Sequence, residues 1–207
     1  MRPRDGCLVT CQWMTGFRIS EVLRITVGTV LKAGEIVTKI GLAPCQMKGG
    51  YGKTRWVPVV PDLKRAIERQ LTWLRLRYKL TPDIPLFPLR EAGEGGGFKP
   101  LSRDMVRHIV KGAFAKASIE DDGRLGTHSL RKTWARNVYR SSGNDILLLS
   151  AALNHTSIET TQRYLSVDDD ELMIAMRKCD FTRGPRQKRA DASLVSLPIP
   201  KAMDPAA

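Results

Sequence analysis

T-H-S-L-R at Thr127 to Arg131 and L-N-H-T-S-I-E-T-T-Q-R-Y-L at Leu153 to Leu165 set two histidines, two arginines and a tyrosine in one short C-terminal stretch. Thr127 can cap a helix running to about Ser142, with Leu130, Trp134 and Val138 turned inward at helical spacing. His128 and Arg131 then stand at i and i+3, close together near that helix's N-terminus. A shorter apolar helix is expected over Asp145 to Leu153, and Ser157 is placed to cap another that carries Tyr164. Between the two lies Asn154, a residue that tolerates left-handed backbone angles. Asp168 to Lys178 reads as a last helix, and residues 182–207, basic and without apolar periodicity, read as a solvated tail.

Outward from this segment the same periodicities continue. Asp5 to Thr15 reads as a helix broken at Gly16, and a second helix is expected from Arg18 to about Ile25. Glu35 to Ile40, Pro44 to Lys48 and Arg55 to Val60 read as short strands, with Gly41 and the Gly49 to Gly52 run as turns. Leu63, Ile67, Leu71, Leu74 and Tyr78 mark an amphipathic helix over Asp62 to Leu80. The proline- and glycine-rich Thr81 to Pro100 reads as a long exposed connection, after which Ser102 can cap a helix burying Val106, Ile109, Val110 and Phe114. The fold expected is mainly α with a small antiparallel β-sheet, an α+β arrangement.

The 34 Lys and Arg against 21 Asp and Glu give a formal charge of +13. Such an excess points to a polyanion, because counterions released from phosphates drive binding. Cys7, Cys11, Cys45 and Cys179 form no C-x-x-C pair and no zinc spacing with His108, His128 and His155, so reduced, mostly buried thiols are expected. No apolar run is long enough to span a bilayer and no signal-peptide pattern opens the chain; a cytoplasmic, nucleoid-associated location and no membrane partner are the expectation.

The residue types suit chemistry on a phosphodiester, whose anionic oxygens repel a nucleophile. A catalyst must neutralise that charge, supply the nucleophile and protonate the departing oxygen. Arginine does the first with a planar fork that stays charged, and histidine can move protons near neutral pH. Tyr164 offers a phenolic nucleophile. Taken alone, Gly16-x-Arg18-x-x-Glu21 reads better as an ordinary surface arginine in an i to i+3 ion pair, and H-x-x-R better as a capping or core histidine.

Together with G-F-R-I-S-E at Gly16 to Glu21, these segments resemble the catalytic domain of the tyrosine recombinases, the phage integrase family, in the family's order and from about Arg4 to about Phe181. The resemblance implies catalytic roles for Arg18 and Arg131 as the two phosphate-binding arginines, for His128 and His155, and for Tyr164 as nucleophile. Lys48-Gly49-Gly50 and the following Lys53-Thr54-Arg55-Trp56-Val57-Pro58 look like the family's K-G-x-K-x-R-x-V-P hairpin with extra residues. Lys48 is chosen as the general acid, with Lys53 as its rival. Asn154 stands where the family commonly has glycine.

By resemblance, a 3′-phosphotyrosyl link conserves the energy of the broken bond, so neither ATP nor a metal or other cofactor is expected. The partner is double-stranded DNA, with protomers assembling on it as a tetramer from a chain that is monomeric when free. Residues 1–181 correspond to the catalytic domain, and the family's N-terminal core-binding domain is absent from the sequence. The resemblance implies a site-specific DNA recombinase or integrase. The alternative from another class is a catalytically silent DNA-binding remnant of an integrase, which would bind duplex DNA without forming a covalent link.

Overall fold

The computed structural model describes residues 1–44, 54–89, 98–121, 123–155, 157–162, 164–165 and 177. Its main compact unit is Met1–Ser166. Helix α1 (Pro3–Thr15) starts on a proline, whose missing N–H costs nothing in a first turn, and buries Cys7, Leu8, Cys11, Gln12 and Thr15. It stops at Gly16, whose φ of 60° is left-handed and whose N–H bonds the Gln12 carbonyl at 3.1 Å. Helix α2 is one turn, Ile19–Val22, shorter than the expected run to Ile25. The chain leaves it because Thr26 must reach Pro85 in an isolated bridge, while the Ile25 carbonyl accepts from the Leu86 N–H at 2.9 Å. A second single turn, α3 (Val27–Val30), follows.

The sheet content is two antiparallel pairs. Strands β1 (Leu31–Lys32) and β2 (Glu35–Ile36) meet across Ala33-Gly34, both at positive φ as a two-residue hairpin turn requires. Strands β3 (Lys39–Leu42) and β4 (Arg55–Pro58) pair in the register Ile40 to Val57 and Leu42 to Arg55. The single strand expected over Glu35 to Ile40 is thus split. The Val37 N–H still bonds Val30, but the Thr38 carbonyl already accepts from Val59, so the backbone changes partner there. Of the strand expected at Pro44 to Lys48, only Pro44 is described, and it lies in a tight turn; Lys48 and Lys53 both fall outside the described residues.

Helix α4 (Pro61–Arg75) buries Leu63, Ala66, Ile67, Gln70, Leu71 and Leu74 along one face and packs against α1. Its expected extension to Leu80 continues as turns. The connection after it is not exposed throughout. Ile84, Leu86 and Phe87 are fully buried, and the Gln70 amide donates to the Leu86 carbonyl at 2.7 Å. Apolar side chains can be buried in irregular backbone here because that backbone finds partners.

Helix α5 (Arg103–Lys116) is capped by Ser102, whose hydroxyl accepts from Met105 N–H at 3.2 Å. Helix α6 (Thr127–Ser141) includes Thr127 in its first turn rather than using it as the cap. Gly126 takes that place, and its N–H donates to the Ser129 hydroxyl at 3.1 Å. Helix α7 (Ile146–Leu153) is capped by the Asp145 carboxylate, which accepts from Leu147 and Leu148, and it ends at Asn154 in the left-handed region at φ 52°. Helix α8 (Ile158–Gln162) stops short of Tyr164, which lies in the following turn with its N–H on the Thr161 carbonyl at 2.9 Å. A large core joins α1 to α5 with both hairpins, and a smaller apolar cluster holds Ala135, Leu149 and Leu153 with Trp134, Tyr139, Tyr164 and Leu165 against them.

Candidate active site

The site forms where the end of α1, the start of α2, the first residue of β4, α6 and the α7–α8 turn meet. At its centre is a carboxylate. Glu21, 1% exposed, takes the Arg18 backbone N–H on one oxygen at 2.6 Å and the Arg18 guanidinium on the other at 3.0 Å. This is the i to i+3 pair anticipated for a surface helix, but the tertiary fold has buried its acidic half. Arg55 approaches the same carboxylate to 3.8 Å and Arg131 to 3.9 Å.

Three guanidinium groups therefore share one carboxylate. Burying charge without full compensation is costly, so the arrangement favours a bound anion that would supply the missing negative charge. Burial and the neighbouring Arg18 cation lower the Arg131 pKa, against the raising influence of Tyr164 and Glu21. Burial, then Arg131, brings that of Arg55 from 12.5 to about 9, which leaves it charged at neutral pH.

Arg131 is fully buried. Its guanidinium donates through Nη1 to the Gly16 carbonyl and through Nη2 to the Leu153 carbonyl at 3.2 Å, with His155 Nε2 at 3.3 Å. Arginine has no acceptor, so His155 Nε2 must accept, and the proton sits on Nδ1, which donates to the Thr161 hydroxyl at 2.9 Å. That tautomer follows from the bonding pattern. The Tyr164 ring lies 5.2 Å from the His155 ring and 5.6 Å from the Arg131 guanidinium.

Arg18, Arg131, His155 and Tyr164, separated by as much as 146 positions in the chain (164 − 18), thus converge on one place. His128 does not join them. It is exposed on the first turn of α6, and among the described residues no hydrogen bond or ring contact ties it to the cluster. Positions i and i+3 differ by about 60° around a helix, enough to send one side chain inward and the other to solvent. Lys48 and Lys53 cannot be placed. Arg55 is the addition that periodicity could have supplied: strand alternation puts it on the same buried face as Val57. Among the described residues no three His, Cys, Asp or Glu side chains are grouped to hold a metal ion, and no helix is long and apolar enough to cross a membrane. Cys7 and Cys11 are free and buried.

Burial, reinforced by the cations of Arg131, Arg18 and Arg55, brings the His155 pKa from 6.5 to about 4. The unfolded chain thus binds a proton that the folded chain refuses between these values, so stability associated with His155 is present above pH 6.5 and is lost as the pH falls toward 4. In a ring-proton NMR titration of the free protein, His155 should stay neutral to well below pH 6; a midpoint at or above 6.5 would refute the depressed value. Adding an anion to the cluster should raise the midpoint, because it offsets the cations that depress it.

A mainly helical domain with two small hairpins and an arginine, histidine and tyrosine cluster at the junction of its helices is the class of protein these observations define. Residues 2–171 match the family model described as "Phage integrase family". The chain belongs to that family. Among curated relatives it is 31% identical over 172 residues to "Tyrosine recombinase XerC" of Methylobacterium sp. (strain 4-46), covering 83% of this chain and 48% of that protein. It is 27% identical over 174 residues to "Tyrosine recombinase XerD" of Corynebacterium glutamicum, covering 84% and 52%. The chain spans about half the length of the curated relatives it matches. In fold it resembles XerA recombinase, with TM-score 0.65 and 23% identity over 86% of this chain and 58% of that one. It also resembles XerH site-specific recombinase bound to a palindromic difH substrate, with TM-score 0.61 and 23% identity over 85% and 46%.

Proposed function

We propose that this chain is the catalytic part of a site-specific DNA recombinase that breaks and rejoins duplex DNA through a covalent 3′-phosphotyrosyl intermediate. The observation that carries the reading is that the Tyr164 ring lies 5.6 Å from the same guanidinium, Arg131, that shares a buried carboxylate with Arg18 and Arg55. A nucleophile held at an anion-seeking fork is what in-line attack on a phosphodiester needs.

Arg18 and Arg131 take the nonbridging oxygens of the scissile phosphate, and His155 lends a hydrogen bond. As Tyr164 Oη bonds to phosphorus, the phosphorus to O5′ bond breaks. The phenolic proton passes to His128, which must first turn in from solvent, and O5′ leaves with its electron pair and takes a proton from Lys48 or, in its place, Lys53. The freed 5′ hydroxyl of another strand reverses the reaction, so the step needs no ATP. Arg131 is covered by Tyr164 in the free chain, so the phosphate enters as the phenol swings from the guanidinium. Protomers act as a tetramer on DNA, and the chain works in the cytoplasm, at the nucleoid. The silent-remnant alternative is not favoured, since Arg18, Arg131, His155 and Tyr164 stand together and the relatives bear the names of recombinases.

The test is covalent capture. A pool of nicked duplexes with randomised arms, in which cleavage releases a short 5′ fragment, is incubated with the protein in EDTA and resolved in SDS. An adduct of protein with the 3′ end, and enrichment of one sequence among the captured strands, are expected. Salt-sensitive binding to duplex with no adduct at any sequence would leave the silent remnant as the better reading.

A further inference from the structure

Arg55 is 6% exposed and is held from four sides. Nη2 donates to the Thr15 carbonyl at the end of α1 at 2.9 Å, and the guanidinium lies 4.8 Å from the Phe17 ring and 5.3 Å from the Trp134 ring. Its fourth contact is Glu21 at 3.8 Å. Nε and Nη1 are buried and donate to no described atom. A buried arginine is usually retained only where its donors are spent, because an unsatisfied buried donor costs about 1–3 kcal/mol. The one anionic group among these contacts is Glu21, and Glu21 is the residue to which Arg18 is tied most closely.

Arg55 is also the first residue of β4, directly after the segment that contains Lys48 and Lys53. Its partner across the β3–β4 pair is Leu42, which is fully buried. One side chain therefore ties the start of β4 to α1, to Trp134 of α6 and to the carboxylate that organises the phosphate-binding arginines.

We infer that Arg55 is a positioning residue of the recombinase site: it holds the Glu21 carboxylate, and through it Arg18 and Arg131, in the geometry that receives the scissile phosphate, and it anchors the start of β4, the strand that follows the segment containing Lys48 and Lys53. This rests on the recombinase reading. Arg55 touches no reacting atom; its contribution is to fix the charges that do. The two unspent nitrogens, Nε and Nη1, belong to a cluster with a surplus of positive charge, so they strengthen the pull on an incoming anion without being its first contact.

The experiment uses the nicked duplex that the wild-type protein captures and compares wild type, Arg55→Met and Arg55→Lys. Far-ultraviolet circular dichroism monitors the fold, and affinity and the adduct rate at saturating DNA are measured separately. Arg55→Met is expected to bind within about 3-fold of wild type and to form adduct roughly 10- to 100-fold more slowly, the loss seen when a group orienting a reacting one is removed. Arg55→Lys, which keeps a cation beside Glu21, is expected to regain most of that loss near neutral pH. Its rate relative to wild type should then fall as the pH rises over roughly 7 to 9, as a buried amine gives up its proton more readily than a guanidinium.

An Arg55→Met rate within about 3-fold of wild type, or a loss confined to affinity, overturns the inference. Where Arg55→Met does not fold, Arg55→Lys decides by its pH profile: a ratio to wild type independent of pH assigns Arg55 to structure alone. No adduct from the wild-type protein would refute the recombinase reading instead, a result distinguishable from any of these.

Discussion

Tyr164→Phe should abolish covalent capture of DNA altogether while leaving fold and duplex affinity close to those of the wild-type protein. Phenylalanine keeps the ring that packs beside His155 and in the small apolar cluster with Leu149 and Leu153, and it deletes only the hydroxyl. The stability change from removing this one hydroxyl is at most about 1 kcal/mol. The catalytic change has no floor, since no covalent link forms without the oxygen. Tyr139, half-buried in the same cluster, is the control. Tyr139→Phe should trap DNA at the wild-type rate, and adduct from Tyr164→Phe would transfer the nucleophile to another residue.

The second large effect is expected at Gly16. Gly16→Ala should destabilise the fold by roughly 2–4 kcal/mol, combining about 1 kcal/mol for a left-handed φ with about 1–3 kcal/mol for overpacking. The backbone there has φ of 60°, and an added Cβ would stand 2.2 Å from Trp134 Cε3. Trp134 cannot simply retreat, because its indole N–H donates to the Met14 carbonyl at 3.1 Å and its face meets Arg55. The Gly16 carbonyl also receives Arg131, so the same substitution displaces that guanidinium. Thermal unfolding should show a Tm lowered by about 5–15 °C. A melting point within about 2 °C of wild type would mean that the α1 end relaxes more freely than its packing implies.

Much of the helical frame was readable from periodicity and caps. Ser102, Asp145 and Asn154 sit where their short polar side chains, or tolerance of positive φ, are useful, and the apolar faces of α4 and α5 follow the repeat of the sequence. Local chemistry decides such features, so a sequence can carry them. The failures were non-local. Glu35 to Ile40 divides between two hairpins because Val37 and Thr38 bond different partners. Ile84 to Phe87 is core and not exposed connection, because Gln70 and Ile25 satisfy its backbone. A run of prolines and glycines gives no sign of that.

In the site the division is similar. Residue types and order, with the resemblance they carry, identified Arg18, Arg131, His155 and Tyr164 as one group, and the structure brings these four together. That identification did not say that Arg131 would be fully buried while His128, three positions earlier, faces solvent. Nor did it give Arg55 a place beside Glu21, since a buried strand face and the end of α1 had to be superposed first.

By itself, then, the sequence determined the helical elements, the basic charge and the kinds of side chain available for phosphodiester chemistry, because each is a property of neighbours along the chain. Only the tertiary structure decided which charges share Glu21, which imidazole nitrogen faces Arg131 and which phenol lies over it. Coulomb energy and hydrogen bonding depend on distance in space, and the segments involved are brought within a few ångströms of one another by folding alone.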